Sequence, residues 1–184
     1  ERLPDAILSV SSELLPEMRE YERTSTTVIN AYVRPVVAKY LGDLSSELQE
    51  TGIRVPLTVM QSNGGLAPVE SAIEKPMYCI ESGPAAGVVG AYHLGKRLGI
   101  ENVMTFDMGG TTAKASIIED GEMLLAPEYE VGGGMSSTSK LIGGGGYALS
   151  LPVIDISEVG AGGGSIVWID RASSIKVGPQ SAGA

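Results

Sequence analysis

The chain is poor in the residues that build covalent frames and metal cages. It holds one cysteine, Cys79, and one histidine, His93, which excludes an internal disulfide framework and leaves no Cys/His cluster for structural zinc. A reducing compartment follows, and with it the expectation of a cytoplasmic protein. Basic residues are the minority, 13 Lys plus Arg against 22 Asp plus Glu for a formal net charge of −9. A polyanion is repelled at long range by such a chain, so nucleic acid is not an expected partner and any phosphate must be held locally. No apolar run approaches the roughly 18 residues of a membrane span, and the opening Glu1-Arg2-Leu3-Pro4-Asp5 lacks a charged-then-apolar leader pattern. No membrane association is expected.

What remains is an ordinary core-forming composition with an excess of glycine. The 184 residues are 43% hydrophobic and 19% charged, which fits one domain of roughly 100 to 200 residues. Glycine numbers 25, nine before residue 106 and sixteen after. The later set is clustered at Gly109-Gly110, at 132–134, at 143–146 and at 162–164. Each cluster either brings backbone close to a ligand or serves as a flexible turn or bulge. The absence of an initiating methionine and of a closing helix or strand around Gly178-Pro179-Gln180-Ser181-Ala182-Gly183-Ala184 suggests a piece of something longer.

Residues 17–49 read as helix, with Val28, Tyr32, Val33, Val37, Tyr40, Leu41, Leu44 and Leu48 near a 3.6-residue period. Pro35 predicts a kink or a junction of two helices, and Gly52 a stop. Residues 56–60 predict a buried strand emptying into Gln61-Ser62-Asn63-Gly64-Gly65, a turn that can present polar groups at a sheet's carboxyl edge. A short helical piece follows, then a strand over 77–80. The next helix is expected to be capped by Ser82 or Gly83, with Pro84 in its first turn, and to end near Leu98 at Gly99. Its small face of Ala86, Val89, Gly90 and His93 predicts close packing on a sheet, and its start can hold an anion.

From Asn102 onward the pattern is antiparallel β. Strands over 103–107 and 112–118 flank a tight turn at 108–111, and Asp120-Gly121 signals a hairpin into 123–125. A later pair is expected between 153–156 and 165–169. Trp168 reads as a core strand residue, Cys79 as a buried inert thiol, His93 as a packing or surface residue, and Glu119-Asp120 as a solvated turn.

Asp107-Met108-Gly109-Gly110-Thr111 is the segment whose chemistry is sharpest. A carboxylate at a strand end can hold Mg²⁺ or its waters, paired glycines let backbone N–H groups face one concavity, and Thr111 adds a hydroxyl. The same residues can also be a plain turn. Neither a Walker loop nor a dinucleotide fingerprint occurs, the nearest approach being residues 134–140 with Ser139 before Lys140.

The run from Phe106 to Thr112 follows Gln61-Ser62-Asn63-Gly64-Gly65 and Glu81-Ser82-Gly83-Pro84-Ala85-Ala86-Gly87, and precedes Gly160-Ala161-Gly162-Gly163-Gly164-Ser165. In this order, with the segments 20–27 and 177–184, the chain resembles the hydantoinase A / 5-oxoprolinase / acetone carboxylase family. The resemblance implies an α/β fold, an incomplete ribonuclease-H-like lobe of the actin-like and sugar-kinase-like ATPase superfamily. In this division 1–101 is a helical and α/β segment and 102–184 a β-rich segment bearing the phosphate motif, both within one larger domain. It also implies ATP and Mg²⁺ as cofactors and the activation of a carbonyl by phosphorylation. The carbonyl belongs to a cyclic amide such as a hydantoin or 5-oxoproline, or to a ketone. The partners implied are a small-molecule substrate and a second subunit or domain of the hydantoinase B type, within an oligomer. Asp107 is the implied catalytic residue and metal ligand, and Gly109, Gly110, Thr111, Thr112, Lys114, Gly162, Gly163, Gly164 and Ser165 are the implied nucleotide-binding residues.

Two departures stand out: Ala113-Lys114 replaces the Thr-Asp of many members, and Ile156 follows Asp155 where hydantoinase-type members often carry histidine. Lys114 either contacts phosphate or points to solvent. The family's first phosphate motif is expected before Glu1 and its adenosine-contacting motif beyond Ala184, so the isolated chain is expected to bind nucleotide weakly and turn over nothing. A non-catalytic actin-like regulatory module and a bare scaffold lobe are the rival readings.

Overall fold

The computed structural model describes residues 6–132 and 146–183. The readings placed on Glu1 to Asp5, on the glycines at 133, 134 and 143–145, on the Walker-like stretch 134–140 and on Ala184 lie outside them. A single turn, α1 (Ser11–Leu14), leads to α2 (Glu20–Glu50). The helix runs through Pro35 as one element, which overturns the expected junction. Pro35 forfeits one backbone hydrogen bond at a cost of about 3 kcal/mol. That cost is spread over a 31-residue helix that packs against neighbours on both sides of the proline. Gly52 ends it as expected, with φ +89° and its N–H donating to the Gln49 carbonyl at 3.0 Å. The apolar positions split into two faces. Ile29 and Leu41 are buried with Val37 packed beside the core, whereas Val28, Tyr32 and Tyr40 are exposed.

β1 (Thr58–Met60) and β2 (Leu66–Pro68) form an antiparallel hairpin, followed by α3 (Val69–Glu74). The strand expected at 77–80 is instead a 3-10 turn, Pro76–Cys79. Pro76 starts that turn at a position where its missing N–H costs nothing. The Met77 N–H that a ladder would need is given to the side-chain Oδ1 of Asn30 on α2, at 3.4 Å. α4 (Ser82–Leu98) follows, with Gly99 at φ +70° as its stop. The cap differs from expectation: Glu81, at φ +64°, precedes the helix and no side chain caps it. Its buried face also differs, being Ala85, Val88 and Gly95, while Gly90 and His93 are exposed. Gly95 is required there, since a Cβ would lie 2.9 Å from the Ile100 carbonyl oxygen.

β3 (Val103–Met108), β4 (Ala113–Glu119) and β5 (Glu122–Met123) form the expected meander. Its second turn places Asp120 at φ +52° and Gly121 at φ +75°, the left-handed pair of a type I′ hairpin. Then come β6 (Leu125–Ala126), β7 (Tyr129–Val131), β8 (Tyr147–Leu149), β9 (Val153–Ile154), β10 (Ser157–Val159), β11 (Ser165–Ile169) and β12 (Ile175–Ser181). β10 joins β4 antiparallel on the side away from β3. The expected pairing of 153–156 with 165–169 does not form, because β9 pairs β6 and β11 pairs β12. The short turn between β11 and β12 closes more cheaply than the longer glycine loop before it, and Asp170 holds it by accepting from the Ala172 and Ser174 amides at 2.8 and 2.9 Å. A closing strand is therefore present, contrary to expectation. Trp168 is strand but not core. It is 42% exposed, on a two-stranded ribbon that no described element covers, and its indole N–H donates to the Gly178 carbonyl.

Three apolar clusters result. Leu14, Ile29, Met77, Leu149 and Leu151 lie between α2 and β8; Ala85, Val88, Ile118 and Ile154 lie between α4 and the meander; Leu41, Val69 and Ala72 join α2 to α3. Contacts thus cross residue 101 in both directions: α2 packs on β8 and α4 on β3.

Candidate functional site

Asp107 stands near the end of β3, in register with Lys114 of β4. Because alternate residues of a strand share a face, Asp107 and Thr105 lie on the side of the sheet that α4 covers, with Lys114 and Ser116 opposite them. The turn between the strands is tight, the Gly109 N–H donating to the Thr112 carbonyl at 3.0 Å. Asp107, Gly109 and Thr111 are exposed, and the Gly110 and Thr111 amides donate to no group among the described residues. An exposed carboxylate and two amides with no acceptor among the described residues therefore sit at one hairpin.

The second glycine loop rests directly on this turn. The amides of Gly163 and Gly164 donate to the carbonyls of Gly109 and Gly110 at 2.9 and 2.8 Å. Glycine is required by the closeness of the two backbones: a Cβ on Gly162 would lie 2.7 Å from the Gly109 oxygen and the Thr112 nitrogen, and one on Gly164 2.9 Å from the Gly110 oxygen. Ser165 turns its hydroxyl inward to accept from the Gly162 amide at 3.1 Å. The Gly164 carbonyl accepts from the Ala182 amide at 2.7 Å and the Ser181 hydroxyl at 3.0 Å. Two segments distant in sequence thus form one double-layered loop platform, and the amides of Gly109, Gly162, Gly163 and Gly164, all expected at phosphate, are already committed within it.

Lys114 does not point to solvent. Its side chain is 18% exposed, and its Nζ lies 2.9 Å from Glu81 Oε2 and 3.5 Å from Glu158 Oε1. Burial disfavours the ammonium, but the hydrogen bond and charge of Glu81, then those of Glu158, outweigh it and raise the pKa above the ordinary lysine value. Glu81 and Glu158 carried no role in the sequence reading. No sequence signal marked Glu158, which falls in the run expected as a loop between 153–156 and 165–169, or Glu81, whose left-handed conformation before the helix the sequence does not announce.

A groove of about 290 Å³ runs alongside, lined by Pro84, Gly87, Val88, Asp107, Lys114 and Ile156 among others. A larger one, about 920 Å³, lies between α2 and the β1–β2 hairpin, away from Asp107. Among the described residues no set of three His, Cys, Asp or Glu side chains is grouped to hold a metal, so an ion at Asp107 would take most of its ligands from phosphate and water.

In the Gln61 to Gly65 turn, Ser62 acts as a structural latch and does not present its hydroxyl to a ligand. Ser62 is buried and its hydroxyl points to the carbonyls of Tyr78 and Ile80. Its carbonyl accepts from the Ile154 amide at 2.8 Å. Cys79 is half-buried in the 3-10 turn with its thiol pKa pushed up by burial, as an inert thiol requires. His93 sits exposed, edge-on to Tyr92, and Glu119 and Asp120 are exposed.

The sequence profile of hydantoinase/oxoprolinase proteins matches residues 23–184. An uncharacterized protein of Methanocaldococcus jannaschii is 49% identical across 95% of the chain and 25% of its own length. The caprolactamase alpha subunit of Pseudomonas jessenii is 38% identical across 99% of the chain and 24% of its own length. The crystal structure of that ATP-dependent caprolactamase superposes with a TM-score of 0.74 at 37% identity, over the whole chain and 25% of the matched chain. A nucleotide-free acetone carboxylase, described as carrying out ATP-dependent acetone carboxylation, superposes with a TM-score of 0.71 at 32% identity, over 94% of the chain and 22% of the matched one. The chain thus spans about a quarter of the length of these relatives.

Proposed function

The chain belongs to the hydantoinase/oxoprolinase family, and from that premise we propose that it is part of an ATP-dependent enzyme that phosphorylates a carbonyl oxygen. The substrate is a cyclic amide such as a hydantoin or 5-oxoproline, or a ketone. For a cyclic amide, transfer of the γ-phosphoryl group to that oxygen, with ADP leaving and the N–H proton lost, turns a poor electrophile into one that water attacks. For a ketone, the same transfer with loss of an α-proton gives an enol phosphate whose α-carbon is carboxylated at the expense of bicarbonate. The observation that carries this reading is the exposed hairpin at Asp107, with Gly110 and Thr111 amides that have no acceptor among the described residues, braced by the 162–164 loop.

The fold this reading carries is a ribonuclease-H-like lobe of the actin-like ATPases. Asp107 orients Mg²⁺ or its waters, and the Gly110 and Thr111 amides with the Thr111 and Thr112 hydroxyls hold phosphate oxygens. Bound Mg²⁺ would supply charge neutralisation there, and the donor set fits it: one hard oxygen ligand with room for waters. Gly109, Gly162, Gly163, Gly164 and Ser165 fix the shape of the loop that meets the phosphate. A second subunit of the hydantoinase B type completes the enzyme, consistent with relatives that are themselves subunits of larger assemblies. A cytoplasmic site of action is part of the same reading, supported by the single cysteine.

The test is ADP release by the natural full-length protein with its partner subunit, over a panel of cyclic amides and ketones, beside the Asp107→Asn variant. One compound is expected to stimulate turnover, and Asp107→Asn to lower it by about a hundredfold. If no compound changes the rate and the variant matches wild type, the regulatory-module reading takes its place.

A further inference from the structure

Lys114 pairs with two carboxylates from different elements and stands in register with a third residue, Asp107. Asp107 is its cross-strand neighbour on β3, Glu81 immediately precedes α4, and Glu158 is its cross-strand neighbour on β10. β10 runs straight into the glycine loop that docks on the 109–112 turn. Without a cation between them, Glu81 and Glu158 would repel one another in a partly desolvated space, where charge interactions are several times stronger than in water. Glu81 has already accepted a left-handed backbone conformation, φ +64°, that is strained for a non-glycine residue.

We infer that Lys114 is a positioning residue: its ammonium is a fixed internal cation that locks the start of α4 and the strand β10 onto the strand opposite Asp107. It thereby sets how the 160–164 loop rests on the turn. This rests on the reading of that turn as the phosphate site. The ammonium touches neither phosphate nor substrate; it acts through the two glutamates.

Two measurements on the natural full-length protein test the inference, with Lys114→Met and Lys114→Arg as variants. Lys114→Met is expected to lower kcat, per folded molecule, about tenfold while the KM for ATP stays within a factor of two, because misplacement at the reacting end reduces rate more than binding. Lys114→Arg, which keeps a cation between the glutamates, is expected to restore most of the rate. In parallel, hydrogen exchange at the Gly163 and Gly164 amides, protected by their bonds to Gly109 and Gly110, is expected to speed up at least tenfold in Lys114→Met and not in Lys114→Arg. Unchanged exchange in Lys114→Met overturns the inference, as does unchanged kcat in a protein that Asp107→Asn inactivates. If Asp107→Asn is itself without effect, the phosphate-site reading has failed, and the exchange measurement alone decides whether Lys114 holds the loops.

Discussion

The two ends of this molecule are held by opposite means. Around α2 the contacts are made by side chains. Met77 is fully buried among Leu14, Ile29, Leu149 and Leu151. Asn30, equally buried, donates to Ser9 Oγ and the Glu74 carbonyl and accepts from the Met77 amide. Thr26 accepts from the Ser150 amide at 3.0 Å. At the glycine platform the contacts are made by backbone, amide to carbonyl, with no side chain between the layers. One region therefore fails when atoms are removed, the other when atoms are added.

The largest effect is expected where removal leaves a hole. Met77→Ala takes a fully buried side chain from the centre of its cluster and should cost about 2 to 5 kcal/mol, read as a lower urea midpoint at unchanged slope. Loss of ATP turnover in proportion to the unfolded fraction, and no further, would keep the two regions separate; a larger loss would show that the α2 side reaches the site.

Gly162→Ala reverses the operation. Its new Cβ would lie 2.7 Å from the Gly109 oxygen and from the carbon and nitrogen of the Thr111–Thr112 peptide link, and backbone cannot swing aside as a flexible side chain can. A cost of about 1 to 3 kcal/mol is expected, with turnover falling more than stability does, because the displaced layer is the one that holds the 109–112 turn. Equal losses of stability and rate would remove the platform from the chemistry.

This contrast also explains what the sequence made legible. Side chains announce themselves by pattern: the 3.6-residue period revealed α2, and the alternation with Asp120-Gly121 revealed the β3–β4–β5 meander. Motif order pointed to the 109–112 turn and the 162–164 loop, but not to their lying against one another, since a backbone contact leaves no trace except glycine. The strand expected at 77–80 was lost to a tertiary bond from Asn30, and the core role of Trp168 to the pairing of its strand into an uncovered ribbon. Lys114 was visible as an anomaly; its two partners come from elements 33 and 44 residues away, which spacing alone does not connect.

A smaller effect separates the regions by pH. Burial raises the pKa of the Cys79 thiol above its ordinary 9.0 and that of the Tyr78 phenol above its ordinary 10.0. Both sit beside the α2 core, and each is an acid whose folded pKa exceeds the unfolded one. Their contribution to stability is full below the unfolded values and is lost as pH rises through the folded ones. A denaturation midpoint that is flat to about pH 8.5 and then declines, with a shallower decline in Cys79→Ala, is the expected result; a decline beginning near neutrality would assign the effect elsewhere.

The smallest change is expected two residues from one of the largest. Gly160 has nothing within 4 Å of its would-be Cβ and no left-handed φ, so Gly160→Ala adds a methyl to open space and slightly restricts the unfolded chain. Stability should stay within about 0.5 kcal/mol of wild type, and turnover should be unchanged. Against Gly162→Ala this distinguishes two meanings of glycine within one loop, clearance at 162 and mere tolerance at 160. Equal damage from both substitutions would mean that the loop works by flexibility, and that its docking on the 109–112 turn is not what the glycines are for.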